Sequence, residues 1–391
     1  MVKILSVDDE LDLELLLTQY FRRKIRKGEY EFVFAHNGLE ALTMMLRHPD
    51  IEIVLSDINM PEMDGLTLLA RINEMRNPAL RVIMVSAYGD MGNIRQAMNN
   101  GAFDFATKPI DLDDLSITIE KAVKQIEYVR QTQREHAQLE DIKGDLAVAG
   151  EIQQAILPRV FPPFPENSDV MDIAALMTPA KDVGGDFYDF FRIDPEHIGI
   201  VMADVSGKGI PAAIFMAVSR TLIRAIGTEG VTPEACLTKA NDLLCMESAN
   251  NMFVTVFYGI YNVATGELRY CNGGHNAPCI IHADGSAELM TVEPNFIVGA
   301  IGGMTYKGGM MTLGKDETLL LYTDGVTEAV NPALEEFGEQ RMTDTLSTVG
   351  GDLQSPPTCR ETIDGLLQSV RDFAGEAEQS DDITILALKR L

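Results

Sequence analysis

The chain has 391 residues, which is too long for one compact core, and its 46% hydrophobic and 23% charged residues are typical of a globular protein with two or three domains. Its 59 acidic and 32 basic residues give a formal net charge of −27. This balance argues against a nucleic-acid-binding protein, which needs a basic face, and against attraction to an anionic membrane surface.

The cysteine pattern and the N-terminus indicate the compartment. The five cysteines form no C-x-x-C pair, so neither a disulfide framework nor a zinc site is expected. The N-terminus turns acidic at Asp8 too early for a signal peptide, and no window offers about 18 uninterrupted apolar residues. These features predict a cytoplasmic protein without a membrane span.

Residues 1–120 alternate short apolar runs with amphipathic stretches. The runs are typical of β-strands and lie at 4–7, 32–35, 51–55, 82–85 and 103–106. Helical patterns between them include 11–25, 39–46 and 66–75. Five strands alternating with helices predict a parallel, doubly wound sheet that is covered on both faces. In such sheets function gathers at the carboxyl ends of the strands.

Polar residues follow these strand ends, namely Asp8, Asp9, Asp57, Ser86 and Lys108. An acyl phosphate on a carboxylate needs an exposed aspartate, a divalent cation and a fixed positive charge for the product. Singly, each residue has an ordinary interpretation: Asp9 could cap a helix, and Asp57 and Lys108 could be surface residues. Together, at successive strand ends, they favour a phosphorylation site with oxygen ligands for Mg²⁺.

These motifs resemble the response-regulator receiver domain over residues 1–120. The resemblance rests on Asp8-Asp9, the segment 56–65 around Asp57, Ser86-Ala87 and Lys108-Pro109. It implies that Asp57 accepts the phosphoryl group from a histidine kinase, and that Mg²⁺ is held by Asp8, Asp9, Asp57 and the Asn59 carbonyl. Ser86 and Lys108 would bind the phosphoryl group, and Phe105 would take the aromatic switch position. Ser86 and Phe105 stand where many members have threonine and tyrosine.

A long helical pattern begins near residue 111. Its apolar residues are Leu112, Leu115, Ile119, Ala122, Ile126 and Val129, followed in another phase by Leu139, Ile142, Leu146, Ala149 and Ile156. Spacing by three and four is typical of a coiled-coil seam, and it predicts a dimerising connector at 121–157. The alternative is a helix that packs on its own domain, followed by a polar linker. Prolines from residue 158 onward end the helix.

From about residue 170 the pattern changes to strands joined by glycine turns. Strands are predicted at 253–262, 267–271, 279–282, 318–322 and 383–388, helices at 211–226 and 233–246, and a surface loop at 350–357. Strand clusters around a helical insert indicate an α+β domain with an antiparallel core.

Four aspartates of this region lie at predicted strand ends or tight turns: Asp186, Asp204, Asp324 and Asp381. An isolated Asp-Gly pair, such as Asp284-Gly285, is usually a turn former. The recurrence of Gly-Gly-Asp, Asp-Val-Ser-Gly-Lys-Gly and Asp-Asp-Ile-Thr instead predicts carboxylate ligands for two Mn²⁺ or Mg²⁺ ions. His275 could be a metal ligand or a base, but a structural turn histidine is favoured.

The same motifs resemble the SpoIIE-like branch of the protein phosphatase 2C superfamily from residue 149 onward. The resemblance rests on the segments 149–153, 179–186, 207–213, 272–276, 322–328 and 335–338. It implies a central β-sandwich flanked by helices and a substrate phosphoserine or phosphothreonine in a partner protein. Asp204 would bridge both metals, with the Val205 carbonyl on one of them. Asp324 and Asp381 would complete the other ion, and Asp186 would position metal-bound water or a ligand.

The resulting hypothesis is a response regulator with a receiver at 1–120, a connector at 121–157 and a Ser/Thr phosphatase at 158–391. Phosphorylation of Asp57 would act on the phosphatase through the connector of a homodimer. By resemblance, the substrate would be a phosphorylated antagonist of an anti-sigma factor, and neither nucleic acid nor a membrane would be a partner. The alternative is an adaptor whose phosphatase-like domain docks a regulator without catalysis, and the complete set of four aspartates argues against it.

Overall fold

The structure is a computed structural model of the chain and describes residues 1–87, 90–161, 163–247, 252–351 and 356–391. It consists of two compact units, Met1–Ile142 and Lys143–Leu391. The three-part division at residues 120 and 157 stays a prediction.

The N-terminal unit is built on five parallel strands: β1 (Val2–Val7), β2 (Tyr30–Ala35), β3 (Ile51–Asp57), β4 (Arg81–Ala87) and β5 (Asp104–Lys108). Its helices are α1 (Leu11–Tyr20), α2 (Arg22–Arg26), α3 (Gly38–Arg47), α4 (Gly65–Glu74) and α5 (Met91–Asn99). Helix α6 (Leu112–Ile156) begins in this unit, and its residues from Lys143 onward belong to the second unit. The strand order β2-β1-β3-β4-β5 confirms the predicted doubly wound parallel sheet. The pattern at 11–25 is two helices, and α5, with Ile94 and Ala97 buried, is a further helix between β4 and β5.

Burial on both faces explains the continuous apolar runs of these strands. All seven residues of β3 are buried. Side chains on one face of the sheet pack against α3, α4 and α5, and those on the other pack against α1, α2 and α6. Both faces are therefore closed to ligands, and the polar residues collect at the carboxyl ends of the strands.

The prediction that the first part of α6 forms a coiled-coil seam is wrong. Leu115, Ile119, Ala122 and Ile126 are at most 1% exposed and belong to the apolar core between α6 and the sheet. This is the alternative interpretation, a helix packed on its own domain. A helix that lies on a sheet also needs apolar residues three and four apart, so the spacing alone did not separate the two cases. Aspartate at Ile119 or Ile126 would disrupt this core.

The second part of the seam is mostly exposed. Leu139 and Ile142 are 56% and 55% exposed and Ala149 is exposed, whereas Leu146 and Ile156 are half-buried. Helix α6 continues through the polar stretch at 130–138 and ends at Ile156, before Pro158, as predicted. Pairing of two chains through these residues stays a prediction.

The C-terminal unit contains ten strands among its described residues: β6 (Met171–Thr178), β7 (Phe187–Arg192), β8 (His197–Val205), β9 (Val254–Asn262), β10 (Glu267–Gly273), β11 (Cys279–Ile281), β12 (Ala287–Leu289), β13 (Gly309–Thr312), β14 (Thr318–Tyr322) and β15 (Ile383–Arg390). The helices after α6 are α7 (Ile210–Gly227), α8 (Pro233–Glu247), α9 (Asp324–Thr327), α10 (Gly338–Gly351) and α11 (Cys359–Ala374), with a 3₁₀ turn at Pro165–Asn167.

These strands form two antiparallel sheets, β13-β10-β9-β8-β7 and β12-β11-β14-β15-β6, which pack as a sandwich. Alternate residues of β15 show the layering. Leu386 and Leu388 lie in the core between the sheets, whereas Ile385 and Ala387 pack against α10 and α11. Helices α7 and α8 cover the other sheet. The predicted sandwich flanked by helices is confirmed.

Two features of this unit differ from the sequence patterns or add to them. Helix α10 extends to Gly351, so it occupies the start of the predicted loop at 350–357, and residues 352–355 lie outside the described residues.

Helix α7 is long and apolar enough to cross a membrane by length and composition alone. In this fold Ala212, Met216 and Ile223 of α7 are fully buried against the sheet.

Candidate functional site

The first candidate site lies at the carboxyl edge of the parallel sheet. Asp8 follows β1, Asp57 is the last residue of β3 and Lys108 is the last residue of β5. Asp8, Asp9 and Asp57 each offer one carboxylate oxygen, and these three oxygens lie within 4.8 Å of one another. This all-oxygen set fits the ligand preference of Mg²⁺.

Lys108 provides the positive charge of this site. Its Nζ lies 2.7 Å from Oδ2 of Asp57, 2.9 Å from Oδ2 of Asp8 and 3.0 Å from Oε1 of Glu10. Burial lowers the pKa of Lys108, but the hydrogen bonds to Asp57, Asp8 and Glu10 outweigh it and the pKa is raised overall. Burial raises the pKa of Asp8, partly offset by the backbone N–H of Glu10. Lys108 is therefore a permanent cation beside Asp57.

The remaining predicted residues of the receiver have different environments. Ser86 is fully buried, and its Oγ has no hydrogen-bond partner within the described part of the chain. A buried hydroxyl usually has a partner, so this one is available to a ligand. Asn59 donates its backbone N–H to Oδ1 of Asp57 over 3.3 Å. Phe105 is half-buried and packs against the apolar cluster beneath α3, α4 and α5.

The second candidate site lies at one end of the sandwich. Asp186 precedes β7, Asp204 is near the end of β8, Asp324 begins α9 and Asp381 precedes β15. Asp204 and Asp381 line one cleft, together with residues of the segments 180–185 and 207–209. The turn after Asp324 lies against the same edge, because a β-carbon on Gly325 would be 2.0 Å from the carbonyl oxygen of Asp382. The fold thus places all four predicted aspartates at one end of the sandwich, but among the described residues only Asp8, Asp9 and Asp57 bring three carboxylate oxygens within 4.8 Å of one another.

Crowding changes the acidity of these carboxyl groups. Burial, and then the charge of Asp324, raises the pKa of Asp204 to about 7. Burial also raises the pKa of Asp186 well above its usual value, with Asp204 and Asp382 adding to the effect. Burial followed by Asp381 raises the pKa of Asp324. Neighbouring ionised carboxylates repel one another unless cations neutralise them, and an oxygen-only set suits Mg²⁺ or Mn²⁺.

The backbone of Val205 also reaches this cleft. Its carbonyl oxygen would lie 2.9 Å from a β-carbon on Gly185, so the two segments approach closely enough to require glycine at that position. Gly185 itself lines the cleft. The Val205 carbonyl is therefore close to the carboxylates with which the sequence grouped it.

Asp382 and Thr384 are site residues that the sequence reasoning did not assign. Oδ1 of Asp382 accepts the N–H of Ala180 and Oδ2 accepts the N–H of Gly185, each over 2.8 Å. The hydroxyl of Thr384 donates to Oδ2 of Asp186 over 2.7 Å. The alternation of side chains along a strand could have identified them. Asp382 and Thr384 are two residues apart at the start of β15, so their side chains point to the same face, toward the loop that carries Asp186.

His275 has a structural environment. His275 is buried. Its backbone N–H donates to Oδ1 of Asn272, and its backbone carbonyl accepts from Nδ2 of Asn272. Its Nδ1 lies 2.9 Å from the Thr255 hydroxyl. Burial lowers the pKa of His275 to about 4, so the ring is neutral at neutral pH. These contacts favour the turn histidine over a ligand or base.

Comparison with known families follows the two-unit division. The family model for stage II sporulation protein E (SpoIIE) matches residues 194–391, just over half of the chain. The chain belongs to the SpoIIE family. The model of the response regulator receiver domain matches residues 4–120, so this SpoIIE-family chain joins a receiver domain to a phosphatase-type domain.

Individual relatives are similar over different lengths. Protein IcfG of Synechocystis sp. (strain ATCC 27184 / PCC 6803 / Kazusa) is 30% identical over 63% of this chain, but the match spans only 41% of IcfG. Phosphoserine phosphatase RsbU of Bacillus subtilis (strain 168) is 28% identical over 64% of this chain and 71% of RsbU. The solved SiaA-PP2C domain of Pseudomonas aeruginosa, at 23% identity and a TM-score of 0.55, covers 65% of this chain and 98% of that domain, which shows the shared fold.

We predict that Asp204→Asn stabilises the metal-free protein. Because the pKa of Asp204 is raised in the folded state, its proton is bound more tightly there than in the unfolded chain, so the wild type loses stability as pH rises from about 4 through about 7. Removing the charge should remove this part of the pH dependence and raise the free energy of unfolding at pH 8 by roughly 2 kcal/mol. Denaturant unfolding in EDTA at pH 5 and pH 8 measures both effects.

The matched control is Asp169→Asn, an exposed aspartate of the same unit, which should leave both values within about 0.5 kcal/mol of the wild type. A loss of stability in Asp204→Asn at pH 8 would contradict the repulsion described above.

Proposed function

We propose that this protein is a response regulator in which phosphorylation of Asp57 controls a metal-dependent Ser/Thr protein phosphatase. The observation that carries the proposal is that Asp186, Asp204, Asp324 and Asp381 lie at one end of a sandwich, where burial, and then the charge of neighbouring carboxylates, raises the pKa of the first three. A domain that only docked a partner would have no use for carboxylates held at this cost in stability. This argues against the adaptor alternative.

In the receiver domain, Asp57 would accept the phosphoryl group from a histidine kinase. Asp8, Asp9, Asp57 and the Asn59 carbonyl would hold Mg²⁺, which neutralises phosphoryl oxygens when it is bound. Lys108 would pair with the product charge, which is supported by its contact with Asp57. Ser86 would donate its free buried hydroxyl to the phosphoryl group.

In the phosphatase domain, Asp204, the Val205 carbonyl, Asp324, Asp381 and Asp186 would hold two Mn²⁺ or Mg²⁺ ions. Such a pair of ions clamps a phosphoryl group and activates water for in-line attack. The chain's own contribution is to fix the ligands. Asp382 holds the loop 180–185 through backbone N–H groups, and Thr384 holds the carboxylate of Asp186.

The substrate and partners follow from similarity rather than from the geometry. The likeness to phosphoserine phosphatase RsbU supports a phosphoserine or phosphothreonine side chain of a partner protein as substrate. A phosphorylated antagonist of an anti-sigma factor is the specific protein we propose. We also propose a cytoplasmic homodimer that pairs through the exposed part of α6.

A direct contact supports coupling between α6 and the candidate metal centre. The buried Gln153 donates Nε2 to the carbonyl of Gly184 over 2.6 Å and accepts the N–H of Gly184 with Oε1 over 2.9 Å. Gly184 lies so close to Asp382 that a β-carbon on it would be 2.1 Å from Oδ2. A shift of this end of α6 would therefore move the segment that precedes Asp186.

The phosphatase proposal predicts that the full chain hydrolyses a phosphoserine peptide or a generic aryl phosphate in the presence of Mn²⁺. Asp204→Asn should reduce the rate by about 100-fold or more, because a lost metal ligand removes several kcal/mol of transition-state stabilisation. EDTA should have the same effect, and Asp169→Asn should not. Equal rates for wild type and Asp204→Asn at saturating Mn²⁺ would refute the assignment.

The coupling predicts a different phenotype for Gln153→Leu, which keeps the volume but loses both hydrogen bonds to Gly184. The basal rate should change little, whereas the change in rate produced by receiver phosphorylation should shrink toward a ratio of about one. The matched control is Gln154→Leu, a change at the exposed neighbouring residue. The response of this variant to receiver phosphorylation should equal that of the wild type. A full response in Gln153→Leu would show that the signal does not pass through this contact.

A further inference from the structure

Lys208 links two segments of the candidate metal centre. Its Nζ lies 2.8 Å from Oδ2 of Asp381 and donates to the carbonyl oxygen of Ser380 over 2.7 Å. Lys208 belongs to the segment that follows β8, the strand that carries Asp204. Ser380 and Asp381 belong to the segment that leads into β15. The ammonium group therefore occupies one carboxylate of the proposed ligand set.

The backbone fixes Lys208 at a sharp bend. Gly207 and Gly209 on either side have φ values of +90° and +76°, a region that favours glycine because a β-carbon would be strained there. No neighbouring atom lies within 4 Å of the β-carbon position of either glycine, so the requirement is conformational and not one of space. Helix α7 begins directly after this bend at Ile210.

The charges around Lys208 are those of the metal-ligand cluster. The hydrogen bond to Asp381 is the largest influence that raises the pKa of Lys208, with Asp382 and Asp324 adding to it through their charge. A second lysine, Lys181, lines the same cleft but forms no ion pair within the described residues. Two lysines thus share the cleft, and only Lys208 contacts a proposed ligand.

We infer that Lys208 is a built-in counter-ion that competes with a divalent cation for Asp381. The inference rests on the proposed function, because it takes Asp381 as a metal ligand. One carboxylate cannot hold an ammonium group and a metal ion in close contact without repulsion between the two cations. Metal binding at Oδ2 of Asp381 therefore requires the ammonium group of Lys208 to leave that oxygen. Lys208 is a positioning residue that sets the metal affinity.

The test is calorimetric titration of Mn²⁺ into the full chain, with Asp9→Asn in every arm to weaken binding by the receiver. Lys208→Met should bind Mn²⁺ about tenfold more tightly than the parent, which corresponds to about 1.4 kcal/mol. Lys208→Arg keeps the charge and should restore the parent affinity. Lys181→Met is the matched control, with a change of less than about twofold, because an unpaired exposed charge is screened by solvent.

A second readout uses the metal-free protein. Without Lys208 the carboxylates lose a neutralising charge, so the melting temperature of Lys208→Met in EDTA should fall below that of the parent and should rise more when Mn²⁺ is added. If Lys208→Met does not fold, Lys208→Gln serves in both measurements. Unchanged or weaker Mn²⁺ binding in the folded variant, or an equal gain in Lys181→Met, would overturn the inference.

The same titration is made with Asp381→Asn added to the parent protein, which is the chain carrying only Asp9→Asn. If Asp381→Asn leaves Mn²⁺ binding unchanged, Asp381 is not a ligand, and the proposed function fails at that residue along with the inference. If Asp381→Asn weakens binding while Lys208→Met does not strengthen it, the ligand assignment stands and only the role of Lys208 is refuted.

Discussion

Electrostatic repulsion between carboxylates at strand ends is the constraint on which both candidate sites depend. In the receiver domain, Lys108 contacts Asp57 and Asp8 and offsets their repulsion directly. In the phosphatase domain the neutralising charge is smaller, because Lys208 contacts only Asp381 among the proposed ligands. Burial and mutual repulsion therefore raise the pKa of Asp204 to about 7. The second site is thus the one that gains more from bound cations.

A rigid scaffold has to hold such charges in place against their repulsion. Central strands of both domains, such as β3 and β14, are buried on both faces, so apolar packing fixes where these strands end. Hydrogen bonds then fix the loops that follow. Asp382 holds the segment 180–185, and Gln153 holds Gly184 within it. The regulation proposed through α6 would need only a small shift of this segment, because Asp186 follows Gly184 by two residues.

The sequence predicted the strands and the residues at their ends for a physical reason. Buried strands are short apolar runs, and a parallel sheet brings the polar residues after them to one edge, so Asp8, Asp57 and Lys108 could be grouped from spacing alone. The same reasoning grouped Asp204 and Asp324 after apolar runs. The structure does bring these side chains together, while their roles as ligands and phosphoacceptor remain proposals.

Other features escaped prediction because they depend on contacts between distant residues. Asp382 accepts a hydrogen bond from Ala180, which is 202 residues away in the chain. Gln153 and Gly184 are 31 residues apart. In the first part of α6 the spacing of the apolar residues does not separate a helix on a sheet from a coiled coil, because both need it. Only the packing of Ile119 against the sheet distinguishes the two.

The central claim is that one chain joins a phosphorylatable receiver to a phosphatase that responds to it. The most direct measurement is the rate of phosphoserine-peptide dephosphorylation by the full chain before and after treatment with acetyl phosphate, in wild type and Asp57→Ala, with phosphorylation followed on a phosphate-affinity gel. The account predicts a phosphorylated wild type with a changed rate, and an unphosphorylated Asp57→Ala that keeps the untreated rate. A phosphorylated wild type with an unchanged rate, or the same change in Asp57→Ala, would contradict it.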